Sequence, residues 1–157
     1  MGLFIGGALA LLLLAAAISD LRSRTISNML NLAIGTLAIP LWWLQSFSLW
    51  PDVAIQLAAA VGVFLIFLAL FAMGAMGGGD VKMIAAMCLW VPVSLILPAL
   101  TIMAIAGGLL SAVMLIRWKW TRESAQIQVP YGVAIAAAGL WVLYEHYFNY
   151  LFGNATV

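Results

Sequence analysis

The sequence predicts an all-α integral membrane protein, a bundle of about six transmembrane helices with both termini extracytoplasmic. Three observations carry that expectation. The 157 residues are 67% hydrophobic and 7% charged, with a mean hydropathy of +1.19, whereas soluble domains stand near ~25% charged and ~45–50% apolar. The apolar runs approach the roughly 20 residues that a helix needs to cross a ~30 Å hydrocarbon core. They are continuous rather than alternating, which excludes the strands of a membrane barrel.

The opening run, MGLFIGGALALLLLAAAISD, has no basic residue ahead of its apolar stretch. It lacks the charged region of a cleaved signal peptide, so it reads as a retained first helix over residues 2–19. A polar stretch, DLRSRTISN, occupies residues 20–28. The second helix is expected over 29–43, with Pro40 inside it, and the third over 53–73. A glycine-rich loop holds residues 74–79. The fourth helix begins near Asp80 and ends between residues 91 and 97, where Pro92 and Pro98 flank the join. The fifth covers 99–117, and a second polar stretch, WKWTRESAQIQ, follows it. The sixth covers 130–147; Pro130 suits a first helical turn, where its missing N–H is not needed. Gly107, Gly108, Ser111, Gly132 and Gly139 allow helices to approach closely. No internal repeat or linker divides the chain, so residues 1–157 read as one transmembrane domain.

The charges agree with six spans. Arg22 and Arg24 follow the first helix, Lys82 adjoins the glycine loop, and Arg117, Lys119 and Arg122 follow the fifth. With six spans those three connections share one membrane face. All six basic residues then fall there, while the opposite connections carry Asp52 and no base. Basic loops stay in the cytoplasm. Asp20, Asp80 and the WKWTRE loop are therefore expected inside. A five- or seven-span count breaks this segregation. Trp42, Trp43, Phe47 and Trp50 gather at one expected interface, Trp118 and Trp120 at the other, and Tyr144, Tyr147 and Tyr150 at the outer end of the sixth helix. Trp and Tyr anchor at such interfaces. His146 falls on that outer side and is assigned no catalytic role. A net charge of +1 excludes a nucleic-acid partner, which demands a basic cluster. The lone Cys88 forms neither an internal disulfide nor a cysteine-based zinc site, and no metal or cofactor is expected.

Two acids carry the chemistry. Asp20 ends the first helix and Asp80 starts the fourth, on the same expected face. Charged groups at membrane depth usually face the protein interior or a wet cavity. Two carboxylates a few ångström apart resist double ionisation and share a proton. One then serves as general base on a water and the other as general acid on a carbonyl oxygen. Each acid also has a bland account. Asp80 suits a helix N-terminus, and Asp20 can pair with Arg24 four positions on. The run Gly77, Gly78, Gly79 exceeds what a cap needs; glycine serves where backbone takes positive φ or another chain comes close, such as a peptide substrate.

At these residues the sequence resembles a known family. GGGDVK resembles the G-x-G-D-x-K signature of the type IV prepilin peptidases, which are membrane aspartic proteases. DLRSRTISN resembles that family's first aspartate motif, with Asp20, Arg22, Ile26 and Asn28 matching and Ser27 where proline is usual. VPYGVAIAAAG, residues 129–139, looks like its last-helix motif. The resemblance implies an endopeptidase of the cytoplasmic (inner) membrane. It would remove the leader of prepilins or pseudopilins at the cytoplasmic face, after a glycine that precedes the substrate's hydrophobic helix. It implies Asp20 and Asp80 as the catalytic pair. Gly77, Gly78, Gly79, Lys82, Arg22, Asn28, Tyr131 and Gly132 would support the site or the substrate. Longer members carry a cysteine-paired cytoplasmic domain and methylate the new N-terminus. This chain has a short polar stretch there, like the short form that accompanies tight-adherence (Flp) pili, which implies peptidase activity without methyl transfer.

Other readings stay open at this point. A related leader, such as an archaeal preflagellin, fits the same motifs. A small proton-coupled transporter also uses intramembrane acids, although such proteins often show repeats and helices broken at the midplane. An inactive scaffold of a pilus assembly would keep the motifs as packing.

Overall fold

A chain this poor in polar side chains has to pair its backbone groups within each segment, and helices do so. The computed structural model describes residues 2–121 and 129–148, and among them no strand occurs. The elements are α1 (Gly2–Ser23), α2 (Asn28–Thr36), α3 (Ala38–Leu44), a π-type turn at Leu49–Val53, α4 (Ala54–Ala72), α5 (Gly78–Cys88), α6 (Val93–Thr121) and α7 (Tyr131–Val142), which continues into a π-helical stretch, Leu143–Phe148. Arg122 and Tyr150 lie outside the described residues, as do the side chains of His146 and Tyr147. Three segments are long and apolar enough to cross a membrane: Gly2–Ser23, Leu49–Ala72 and Val93–Trp120. Asn28–Leu44 and Tyr131–Glu145 are apolar but shorter.

Where the helices differ from expectation, prolines and caps account for it. The expected second helix is two, because Pro40 cannot bond the carbonyl of Thr36 and its ring crowds that carbonyl; the chain turns at Leu37 between α2 and α3. The expected fourth helix stops at Cys88. Pro92 disfavours a helical Val91, so residues 93–97 join α6, which runs on through Pro98. At 11 residues, α5 is about 16 Å long. Helix α1 runs past its expected end, so Asp20 lies within its last turns. Arg24 then takes a positive φ of 54°, a left-handed position of the kind that often closes a helix. The Ser27 hydroxyl accepts from the Leu30 N–H at 3.2 Å and caps α2.

The main packing pairs are α6 with α7, α1 with α7, and α5 with both α4 and α2. Leu9, Leu13, Met83, Ile84, Met87 and Ile135 are fully buried between them. Gly139 lets α7 meet α1, since a Cβ there would stand 2.9 Å from Leu13 Cδ1. At one end of the bundle, side chains secure the end of α5. Gln56 donates to the carbonyls of Cys88 and Val91 at 2.5 and 2.6 Å, and Trp42 Nε1 donates to the Leu89 carbonyl at 2.9 Å. The last carbonyls of a helix have no partner within it, and in lipid an unpaired one costs several kcal/mol.

Gln56→Leu removes two of these donors, and the expected cost is about 2 kcal/mol. Equilibrium unfolding in detergent measures it, and an unchanged unfolding free energy contradicts the role.

Candidate active site

The end of the bundle opposite Gln56 gathers the polar motifs. Asp20 is 5% exposed, and its Oδ2 accepts from the Gly132 N–H at 2.7 Å. Gly132 is the second residue of α7, so this N–H is one of those with no partner inside the helix. The side chain of α1 thereby caps α7, and the positive end of the α7 dipole faces the carboxylate. Asp80 is the third residue of α5. Its Oδ2 lies 2.9 Å from where a Cβ on Gly77 would be, and the Gly77 backbone N–H is in reach of the carboxylate. This is half of a capping box, in which the third residue reaches back to the cap. The N-cap position itself belongs to Gly77. Ile26 lies against both Gly79, which precedes Asp80, and Gly132, which bonds Asp20, so residues far apart in sequence come together at one end of the fold.

Ile26 sets that arrangement. It is buried between the starts of α5 and α7. A Cβ on Gly79 would stand 3.3 Å from its carbonyl oxygen, and one on Gly132 would stand 2.8 Å from its Cδ1. The glycine run was expected to leave room for positive φ or for a foreign backbone. None of its three residues has a positive φ; Gly74 does, at 72°. The space beside each is taken by the chain itself: Asp80 at Gly77, Phe71 at Gly78 and Ile26 at Gly79.

The remaining expected residues divide. Lys82 Nζ donates to Asn28 Oδ1 at 2.8 Å, which joins two of them and ties α5 to the start of α2. Arg22 is exposed at the end of α1. Tyr131 turns toward α6, where its ring lies 3.2 Å from a Cβ position on Gly107. Asn31 escaped the sequence reading. Its Nδ2 donates to the Gly79 carbonyl at 3.1 Å, fixing the peptide next to Asp80. A polar residue inside the apolar run NMLNLAIG was the available signal, since buried polar groups in membrane helices usually join neighbours. Among the described residues, no three His, Cys, Asp or Glu side chains gather as a metal site would require.

Over residues 7–112 the chain matches the model of the type IV leader peptidase family. That span covers more than half of the chain and includes both Asp20 and Asp80. No curated protein and no solved structure matches it. The chain belongs to the type IV leader peptidase family.

The close fit at Gly132 gives a test. Gly132→Ala would place a Cβ 2.9 Å from Asp20 Oδ2 and 3.0 Å from Asp20 Cβ, and overpacking of this kind costs about 1–3 kcal/mol. Gly108→Ala meets open space and is expected to leave stability unchanged or raise it by up to about 1 kcal/mol. Thermal unfolding of the two variants in detergent reads the contrast.

Proposed function

We propose that this family member is a membrane aspartic endopeptidase, with Asp20 and Asp80 as its catalytic pair and a prepilin or pseudopilin as its substrate. The observation that carries the reading is the convergence of the two acids: Ile26 lies against both Gly79, next to Asp80, and Gly132, whose N–H Asp20 accepts. The pair shares a proton. The ionised carboxylate takes a proton from water, and the oxygen attacks the scissile carbonyl carbon while the protonated partner gives its proton to the carbonyl oxygen. The tetrahedral intermediate collapses with cleavage of the C–N bond. The departing amine takes a proton from the first aspartate, and the diol returns one to the second. Both carboxyls end as they began, with no cofactor in the cycle.

The cut falls after a glycine that precedes the substrate's hydrophobic helix. The site opens on the cytoplasmic side of the inner membrane, and the chain crosses six times with both termini outside. Segregation of the six basic residues to one set of connections supports that orientation. The resemblance to the tight-adherence pilus enzymes supports peptidase activity without methyl transfer.

Asp20→Asn and Asp80→Asn each remove a group that must both take up and release a proton. Each variant is expected to lower leader cleavage at least about 100-fold in membranes where the protein remains folded. Cleavage is read by the mobility shift of the substrate, and full activity in either variant sinks the dyad.

A further inference from the structure

Two residues apart on a helix of 3.6 residues per turn, Lys82 and Asp80 project on nearly opposite faces of α5. The face with Lys82 borders an open groove of about 770 Å³. Helices α2 and α4 both pack on α5 and hardly touch one another, and the groove is the gap between them. Leu32, Ile39, Val61 and Phe64 form apolar walls, and Gly35, Ala85 and Ala86 a floor of small residues. One end is polar, with Asn28, Asn31 and Lys82.

That polar end holds unused hydrogen-bonding capacity. Asn31 is 6% exposed, and its Oδ1 has no hydrogen-bond partner among the described residues. The amide therefore offers a buried acceptor. Lys82 gives one hydrogen bond to Asn28, and an ammonium has three donors. The occupant that suits both is one with free donors and acceptors at its end and an apolar body. An acyl chain has neither donor nor acceptor, whereas the first turn of a helix has unpaired N–H groups for Asn31, and the carbonyls of the chain before it can accept from Lys82. The small floor also suits a helix, because close backbone approach is how membrane helices associate.

We propose that this groove seats an apolar helix entering from the bilayer, with the N–H groups of its first turn meeting Asn31 Oδ1 and the carbonyls of the chain that leads into it meeting Lys82. On the peptidase reading above, on which this rests, the occupant is the substrate's hydrophobic helix. The same Asn31 holds the Gly79 carbonyl, so a helix anchored there ends one residue from Asp80. The groove then selects the membrane-anchored part of the substrate, while the acids act on the bond beyond it.

Val61 is 54% exposed, so Val61→Trp adds bulk to the groove without displacing a buried side chain. Two substrates are compared with the full chain in detergent. One is a prepilin carrying leader and hydrophobic helix, and the other is a short soluble peptide spanning the same bond. For Val61→Trp the expected result is at least a tenfold rise in KM for the prepilin with the peptide unchanged. Wild-type rates on both, or equal losses on both, overturn the groove. A benzophenone photo-crosslinker at Ile39 in the Asp80→Asn protein reads occupancy without cleavage. Capture of the substrate's helix supports the site, and capture of phospholipid alone overturns it. Should the wild-type protein cut neither substrate, the peptidase reading fails, and the crosslink still decides what the groove binds.

Discussion

One hydrogen bond organises this fold, from the Gly132 N–H to Asp20. It satisfies a buried carboxylate and an unpaired helix N–H at once, each of which is costly to leave alone in apolar surroundings. It also fixes where α7 begins relative to α1. From that point the two helices run against each other past Leu13 and Gly139, which meet at the limit of contact. An alanine-rich helix such as α7 has little else in its sequence to choose a register.

The loop between α1 and α2 makes the bond possible. Arg24 turns the chain, Ser27 starts α2, and Ile26 between them is driven into the space left by Gly79 and Gly132. The glycines of two separate motifs thus serve one isoleucine of a third. Each motif was visible as a string of residues, but their joint meaning is a steric one. The helix-end contacts of the two acids and their proposed pairing therefore rest on the same geometry. Asp20 caps a helix of another segment, and Asp80 reaches back to the Gly77 N–H at the start of its own.

Much of this was legible beforehand. Length and hydropathy gave the helical runs, because a bilayer leaves few alternatives. The two acids were legible because charge is so scarce in the chain. The lengths of α2, α3, α5 and α6 were less so. Pro40 and Pro92 were seen, but a proline in an apolar run does not itself say whether the helix ends there, as at Pro92, or runs on, as at Pro98. Gln56 and Asn31 were passed over for a related reason. Each is one polar side chain in an apolar run, and its purpose appears only when the distant carbonyl it serves is in place. The glycine run was read as open space, since a sequence does not reveal what fills the room beside a missing side chain.

The short length of α5 bears on what keeps it in place. Eleven residues that include Asp80 and Lys82 give too little apolar length to partition into a bilayer unaided. The segments on either side, Leu49–Ala72 and Val93–Trp120, have that length. Helix α5 is therefore held by its neighbours, with Gln56 and Trp42 bonding the carbonyls at its end. The position of Asp80 thus depends on helices that carry neither of the two acids at the candidate site.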